Sequence, residues 1–182
     1  MKDKPWEKVP LTPTQKLHYR ALIEYGIRKR ETPEEPFYYM AFDPGKVTGF
    51  ATFTQNGMPV EMGHIPDWSE GMLKFFGMPV FVDKPVKVVI CEAYQIRGRG
   101  QTVDSNAIRT RAVISLIKNF AASQGARLIM QQSSILPVAA KFSGMEMPRD
   151  HSLSHQISAF NHGWYRLTED KVVVPRIAWP EG

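Results

Sequence analysis

Residues 37–54, Phe-Tyr-Tyr-Met-Ala-Phe-Asp-Pro-Gly-Lys-Val-Thr-Gly-Phe-Ala-Thr-Phe-Thr, read as two apolar strands joined by a turn. Phe37–Asp43 is apolar and aromatic and stops at Pro44-Gly45, a pair that breaks regular structure. Phe50–Thr54 forms the second strand. The dipeptide Asn56-Gly57 and then Val60–Ile65 follow, and Asn-Gly between apolar runs signals a hairpin, so strands two and three are expected to be antiparallel neighbours. Val86–Cys91 (VKVVIC) is short, β-branched and continuously apolar, the pattern of a central strand buried on both faces. Arg127–Gln131 (RLIMQ) is the fifth strand.

Helices are expected between and after these strands. Trp68–Phe76 fits a short helix with Ser69 as a possible cap. From Val103 to Ser123, apolar residues at Val103, Ala107, Ile114, Ile117 and Ala121 recur at helical spacing, with Gly125 as terminator. Asp150–Leu167 carries Leu153, Ile157, Phe160, Trp164 and Leu167 in steps of four, three, four and three, a narrow stripe expected to pack on the sheet. Strands alternating with helices late in the chain imply parallel pairing beside the first strand. The predicted fold class is α/β, a five-stranded mixed sheet flanked by helices.

The flanks differ from this centre. Residues 1–36 form a basic helical extension and linker. Thr12-Pro13-Thr14-Gln15 reads as a helix start, and Glu31–Pro36 has two prolines and three glutamates. Residues 37–167 make the domain, and 168–182 an extended tail. The 182-residue chain is 43% hydrophobic and 23% charged, which excludes wholesale disorder. Its start has no signal-peptide pattern and no apolar run reaches membrane-spanning length, so a cytoplasmic protein with no membrane partner is expected. A lone cysteine, Cys91, rules out an internal disulfide or a zinc–cysteine cluster. The net charge is +5, with a pI near 9.3, and favours an anionic partner.

Two carboxylates end two strands. Asp43 closes the first and opens a glycine-containing turn, at the strand end where open α/β sheets bind ligands; it reads equally as an Asp-Pro-Gly turn former. Glu92 directly follows Val88–Cys91, where ionisation is costly without a partner such as Arg97 or Arg99. If strands one and four are neighbours, the two carboxylates lie side by side and repel unless a cation holds them, and hard oxygen ligands suit Mg2+ or Mn2+. A third ligand is expected from the start of the last helix, at Asp150 or His151. On a helical wheel Asp150 flanks the apolar stripe and Ser154 lies beside it one turn later, while His151, His155 and His162 fall on the opposite face. Asp150 is equally a helix cap. Tyr94, Arg97 and Arg99 lie in a glycine-containing loop after Glu92, and Arg109 and Arg111 follow on the long helix. Arginine forks grip phosphates and a tyrosine face stacks on a base, so cationic charge around an acidic centre suggests a nuclease.

The combination resembles the RuvC-like Holliday junction resolvases of the ribonuclease H-like superfamily, particularly phage-borne relatives. AFDPGKVTGFATF is similar to their first strand and hairpin, and VVICEAYQI to their fourth strand with its glutamate. SNAIRTRAVISLI is similar to the helix that follows, and DHSLSHQISAFNHGWYRL to the last helix. The resemblance covers about residues 38–167. It implies a ribonuclease H-like fold, a structure-selective DNA endonuclease acting on four-way junctions, and a homodimer. It also implies two Mg2+ or Mn2+ ions, with Asp43 and Glu92 as ligands and Lys141 near the site. The family's last helix presents Asp-x-x-Asp or His-x-x-Asp; His151 and Ser154 take those places here, with Asp150 or His155 able to compensate.

Two other functions compete. A branched-DNA-binding protein of the same fold without catalysis would fit the serine at position 154. An actin-like ATPase or sugar kinase relative would share an Asp-Gly phosphate hairpin, but such proteins are much longer and carry a second glycine-rich loop.

Overall fold

The computed structural model describes residues 38–78, 86–94, 105–147 and 151–173, and only the backbone of His151 and Ser152. The expected amino-terminal helix, the Arg97/Arg99 loop, Asp150 and the last nine residues of the tail lie outside these. The strands are β1 (Tyr39–Asp43), β2 (Thr48–Phe53), β3 (Pro59–Ile65), β4 (Val88–Ala93) and β5 (Arg127–Gln132). The helices are α1 (Trp68–Phe76), α2 (Ser105–Ser123), α3 (Leu136–Ser143) and α4 (His151–Glu169).

The sheet order is β3-β2-β1-β4-β5. β1–β2 and β2–β3 are antiparallel, and β1–β4 and β4–β5 are parallel. The sheet is therefore the mixed five-stranded one expected, with β1 at its centre. Alternation along each strand feeds two cores. Met40, Phe42, Val89 and Cys91 face one layer with Met72 of α1 and Val113, Ile117 and Phe120 of α2. Tyr39, Ala41, Val88 and Ile90 face the other, with Ile157, Phe160, Trp164 and Leu167 of α4. Both faces of β1 and β4 are covered, which is why VKVVIC shows no polar alternation.

Three local expectations are revised. At the start of α1, Asp67 rather than Ser69 occupies the cap position, in a left-handed conformation, and makes no side-chain capping bond. Helix α3 was not expected from the sequence: it has only eight residues, carries a proline in its first turn, and ends on Gly144 at φ 70°. The third concerns how α4 lies on the sheet. Its apolar stripe is buried as expected, but the middle of the helix is buried almost all round, and His162 is fully enclosed. Close approach selects small residues rather than the most apolar ones. A Cβ on Gly49 of β2 would lie 2.0 Å from the His155 carbonyl oxygen, and one on Gly163 would meet the Phe53 ring at 2.3 Å. This contact rotates the histidine face of α4 toward β1 and β4, where the wheel placed it away from the sheet.

Candidate functional site

Strand parity builds the site. Asp43 shares a face with Tyr39 and Ala41, and Glu92 with Val88 and Ile90, so both carboxylates lie on the α4 side. Phe42 pairs with Cys91, which sets Asp43 level with Glu92; Glu92 pairs with Gln131 of β5, and Asp43 with Gly49 of β2. Gly49, Asp43, Glu92 and Gln131 thus form one row across four strands, at the carboxyl ends of β1, β4 and β5. This is the edge at which open α/β sheets bind ligands.

Helix α4 answers that row residue by residue. His155 Nδ1 lies 3.0 Å from Asp43 Oδ2. Ser158 Oγ donates to Glu92 Oε2 at 3.3 Å, and His162 Nε2 lies 3.1 Å from the same oxygen. His162 Nδ1 lies 2.8 Å from Gln131 Oε1. The spacing 155, 158, 162 is that of one helix face. Burial holds the Asp43 carboxyl above the usual carboxylate range; the His155 bond opposes this, and the neighbouring Glu92 charge reinforces it. The His155 imidazole is pushed up, chiefly by its bond to Asp43 and against its own partial burial. The pair therefore favours a proton shared across the 3.0 Å contact. Burial pushes the Cys91 thiol far up, so it is no nucleophile.

The expected site residues are distributed as follows. Asp43 and Glu92 are side by side. The residues three apart that meet them are His155 and Ser158, one turn further along α4 than His151 and Ser154. Tyr94 is exposed at the end of β4. Arg109 is exposed on α2 with its guanidinium 5.9 Å from the Trp68 ring centroid, and the Trp68 N–H bonds the Lys46 carbonyl in the turn after Asp43. Arg111 is exposed on α2, and Lys141 on α3, which packs against α4 through Ser143, Asn161 and Met145. Ser158, His162 and Gln131 were not foreseen as site residues; strand parity and the 155/158/162 spacing are the signals that carry them.

The donor set suits a hard divalent cation: two adjacent carboxylates and an imidazole, with burial and, after it, the Glu92 charge raising the Asp43 carboxyl above its ordinary value. Among the described residues no three His, Cys, Asp or Glu side chains already converge as a cage. His155 and His162 instead turn their ring nitrogens onto the carboxylates.

The sheet order, the central parallel pair and the terminal helix across it define a ribonuclease H-like fold of the RuvC-like kind. Among solved structures the chain is similar to Thermus thermophilus RuvC in complex with a Holliday junction substrate, with a TM-score of 0.54, 13% identity, and coverage of 75% of this chain and 98% of that one. It is also similar to a Thermus thermophilus RuvC structure, with a TM-score of 0.47, 12% identity and the same coverage. No family model and no curated protein matches the chain.

Proposed function

We propose that this chain is a divalent-cation-dependent endonuclease that cuts branched DNA, with four-way junctions as its substrate. The observation that carries this reading is the carboxylate pair Asp43/Glu92, level on adjacent parallel strands and held by α4 at the ligand-binding edge of a RuvC-like fold. Asp43 and Glu92 would hold Mg2+ or Mn2+, joined by His155 or by Asp150 or His151 at the start of α4. When bound, such a cation supplies an activated water and offsets charge on the scissile phosphate. The protein's own part is positioning. His155 fixes one oxygen of Asp43 and can keep a proton there. Ser158 donates to one oxygen of Glu92. Arg97, Arg99, Arg109, Arg111 and Lys141 would grip phosphates, and the exposed Tyr94 would stack on a base. A homodimer would present two such sites to opposed strands.

A catalytically silent branched-DNA-binding protein is the second reading, favoured by one observation: Ser158 brings a neutral hydroxyl to Glu92 where a carboxylate would complete a two-ion site. A cleavage assay separates the two, with a labelled four-way junction beside linear duplex, in Mg2+, Mn2+ and EDTA, and with Asp43→Asn as control. Paired, metal-dependent nicks that disappear in Asp43→Asn support the nuclease. Tight junction binding without nicks under either metal supports the silent binder.

A further inference from the structure

Among the described residues, both side-chain polar contacts of Glu92 fall on one oxygen, Oε2: Ser158 Oγ donates at 3.3 Å and His162 Nε2 lies at 3.1 Å. The His162 ring is fully buried and its other nitrogen is occupied by Gln131 at 2.8 Å. Gln131 is itself buried on β5, directly opposite Glu92 in the parallel register. The imidazole is therefore clamped between two strands from a helix that crosses both. A fully buried polar ring costs stability unless both nitrogens are satisfied, and here both are spent on one arrangement. Gln131 Nε2 is buried with no partner among the described residues. With Oε1 on Nδ1–H, a neutral ring would turn a lone pair to Glu92; turning the amide over places Gln131 Nε2–H on Nδ1 and leaves the ring's own Nε2–H for Glu92, and in that orientation the ring spans β5 to β4.

We infer that His162 is the positioning residue of this site: braced by Gln131, it ties Glu92 Oε2 and leaves Oε1 as the oxygen offered to a cation. The inference rests on the reading of Asp43/Glu92 as a cation site, and goes beyond it by assigning a role to a residue seven positions beyond His155. Its physical basis is that of carboxylates whose direction is set by an outer hydrogen bond, where loss of the outer partner costs about 10–100-fold in metal affinity or activity.

The test is direct Mn2+ binding to the full chain without DNA, followed by the spectroscopic signal of free Mn2+, with thermal melting beside it. His162→Leu keeps a similar volume and loses both bonds; Mn2+ binding is expected to weaken about 10–100-fold. His162→Gln retains a donor near the Nε2 position and is expected to stay within a few-fold of wild type. Gln131→Met removes only the brace and is expected to fall between them. If His162→Leu fails to fold, the ordering of wild type, His162→Gln and Gln131→Met carries the test. Folded variants that all bind Mn2+ as tightly as wild type would overturn the positioning role while leaving the cation site standing. Wild-type protein that binds no Mn2+ would sink the cation site itself, and the role of His162 with it.

Discussion

Ser158 is the neutral side chain between the two acids of the proposed cation site. Three positions after His155, its hydroxyl acts on both: it donates to Glu92 and also favours the charged form of Asp43. A hydroxyl relieves crowded charge; a third carboxylate would add to it. Ser158→Asp is therefore expected to lower the melting temperature of the metal-free protein, by on the order of 1–3 kcal/mol in stability. Mn2+ should raise that melting temperature more in the variant than in wild type, because cation binding stabilises the state that holds it. Melting curves with Mn2+ and with EDTA check both halves, and a variant that Mn2+ stabilises no more than wild type would show that position 158 does not face the cation. Asp43 and Glu92 were legible in the sequence because each ends an apolar strand, and carboxylates on two such strands meet at one sheet edge if the strands are neighbours. Ser158, His162 and Gln131 were not. A serine, a histidine and a glutamine are ordinary helix and strand residues until the register places them in one row.

Helix α4 meets the sheet through its smallest residues, and this sets where its histidines go. The helical wheel ranks faces by apolarity, which located Phe160, Trp164 and Leu167 in the core correctly. It could not weigh a backbone contact, because closeness is decided by what is absent at Gly49 and Gly163. Strands β1, β4 and β5 were readable from their apolar runs; α3 was not, since eight residues with a proline in the first turn give too little period. Gly49 is the point at which the element-level argument can be tested. Its neighbour is not a flexible side chain: a Cβ would meet the carbonyl oxygen of His155 at 2.0 Å and the Gln156 nitrogen at 2.6 Å. Helix or strand must shift. Gly49→Ala is expected to cost roughly 1–3 kcal/mol by overpacking and to move His155 away from Asp43, lowering Mn2+ affinity. Gly125→Ala is the comparison. It replaces a glycine at positive φ with nothing around its Cβ, so it should lower stability through the backbone alone and leave Mn2+ affinity unchanged. Equal Mn2+ affinities in the two variants would mean that the approach of α4 does not set the site.

At the scale of the whole molecule, basic charge is shared between the amino-terminal segment and the domain. Residues 1–30 contain eight lysines and arginines against three acids, a balance of +5, while residues 31–182 contain 15 of each sign. Three of those acids lie in Glu31–Pro36, so residues 37–167 carry 13 basic side chains against nine acids, a balance of +4, and the domain itself attracts a polyanion, with Arg109, Arg111 and Lys141 exposed on its helices. Long-range attraction is shared by the two, and the amino-terminal segment has the denser charge. These contributions have different signatures. Phosphate contacts release counterions, and each one lost makes the dependence of log binding constant on log salt shallower by about 0.9 for duplex DNA. Reversing Arg28, Lys29 and Arg30 to glutamate is expected to weaken four-way-junction binding and flatten its salt dependence by roughly one to three such contacts. Because these residues precede in sequence the strands that carry Asp43 and Glu92, cation binding there is expected to remain at its wild-type level. Junction binding across a salt titration, with Mn2+ affinity measured on the same preparations, separates the effects. An unchanged slope would assign the arm's charge to something other than DNA, whereas a lost Mn2+ site would show that the arm supports the fold that carries the carboxylates.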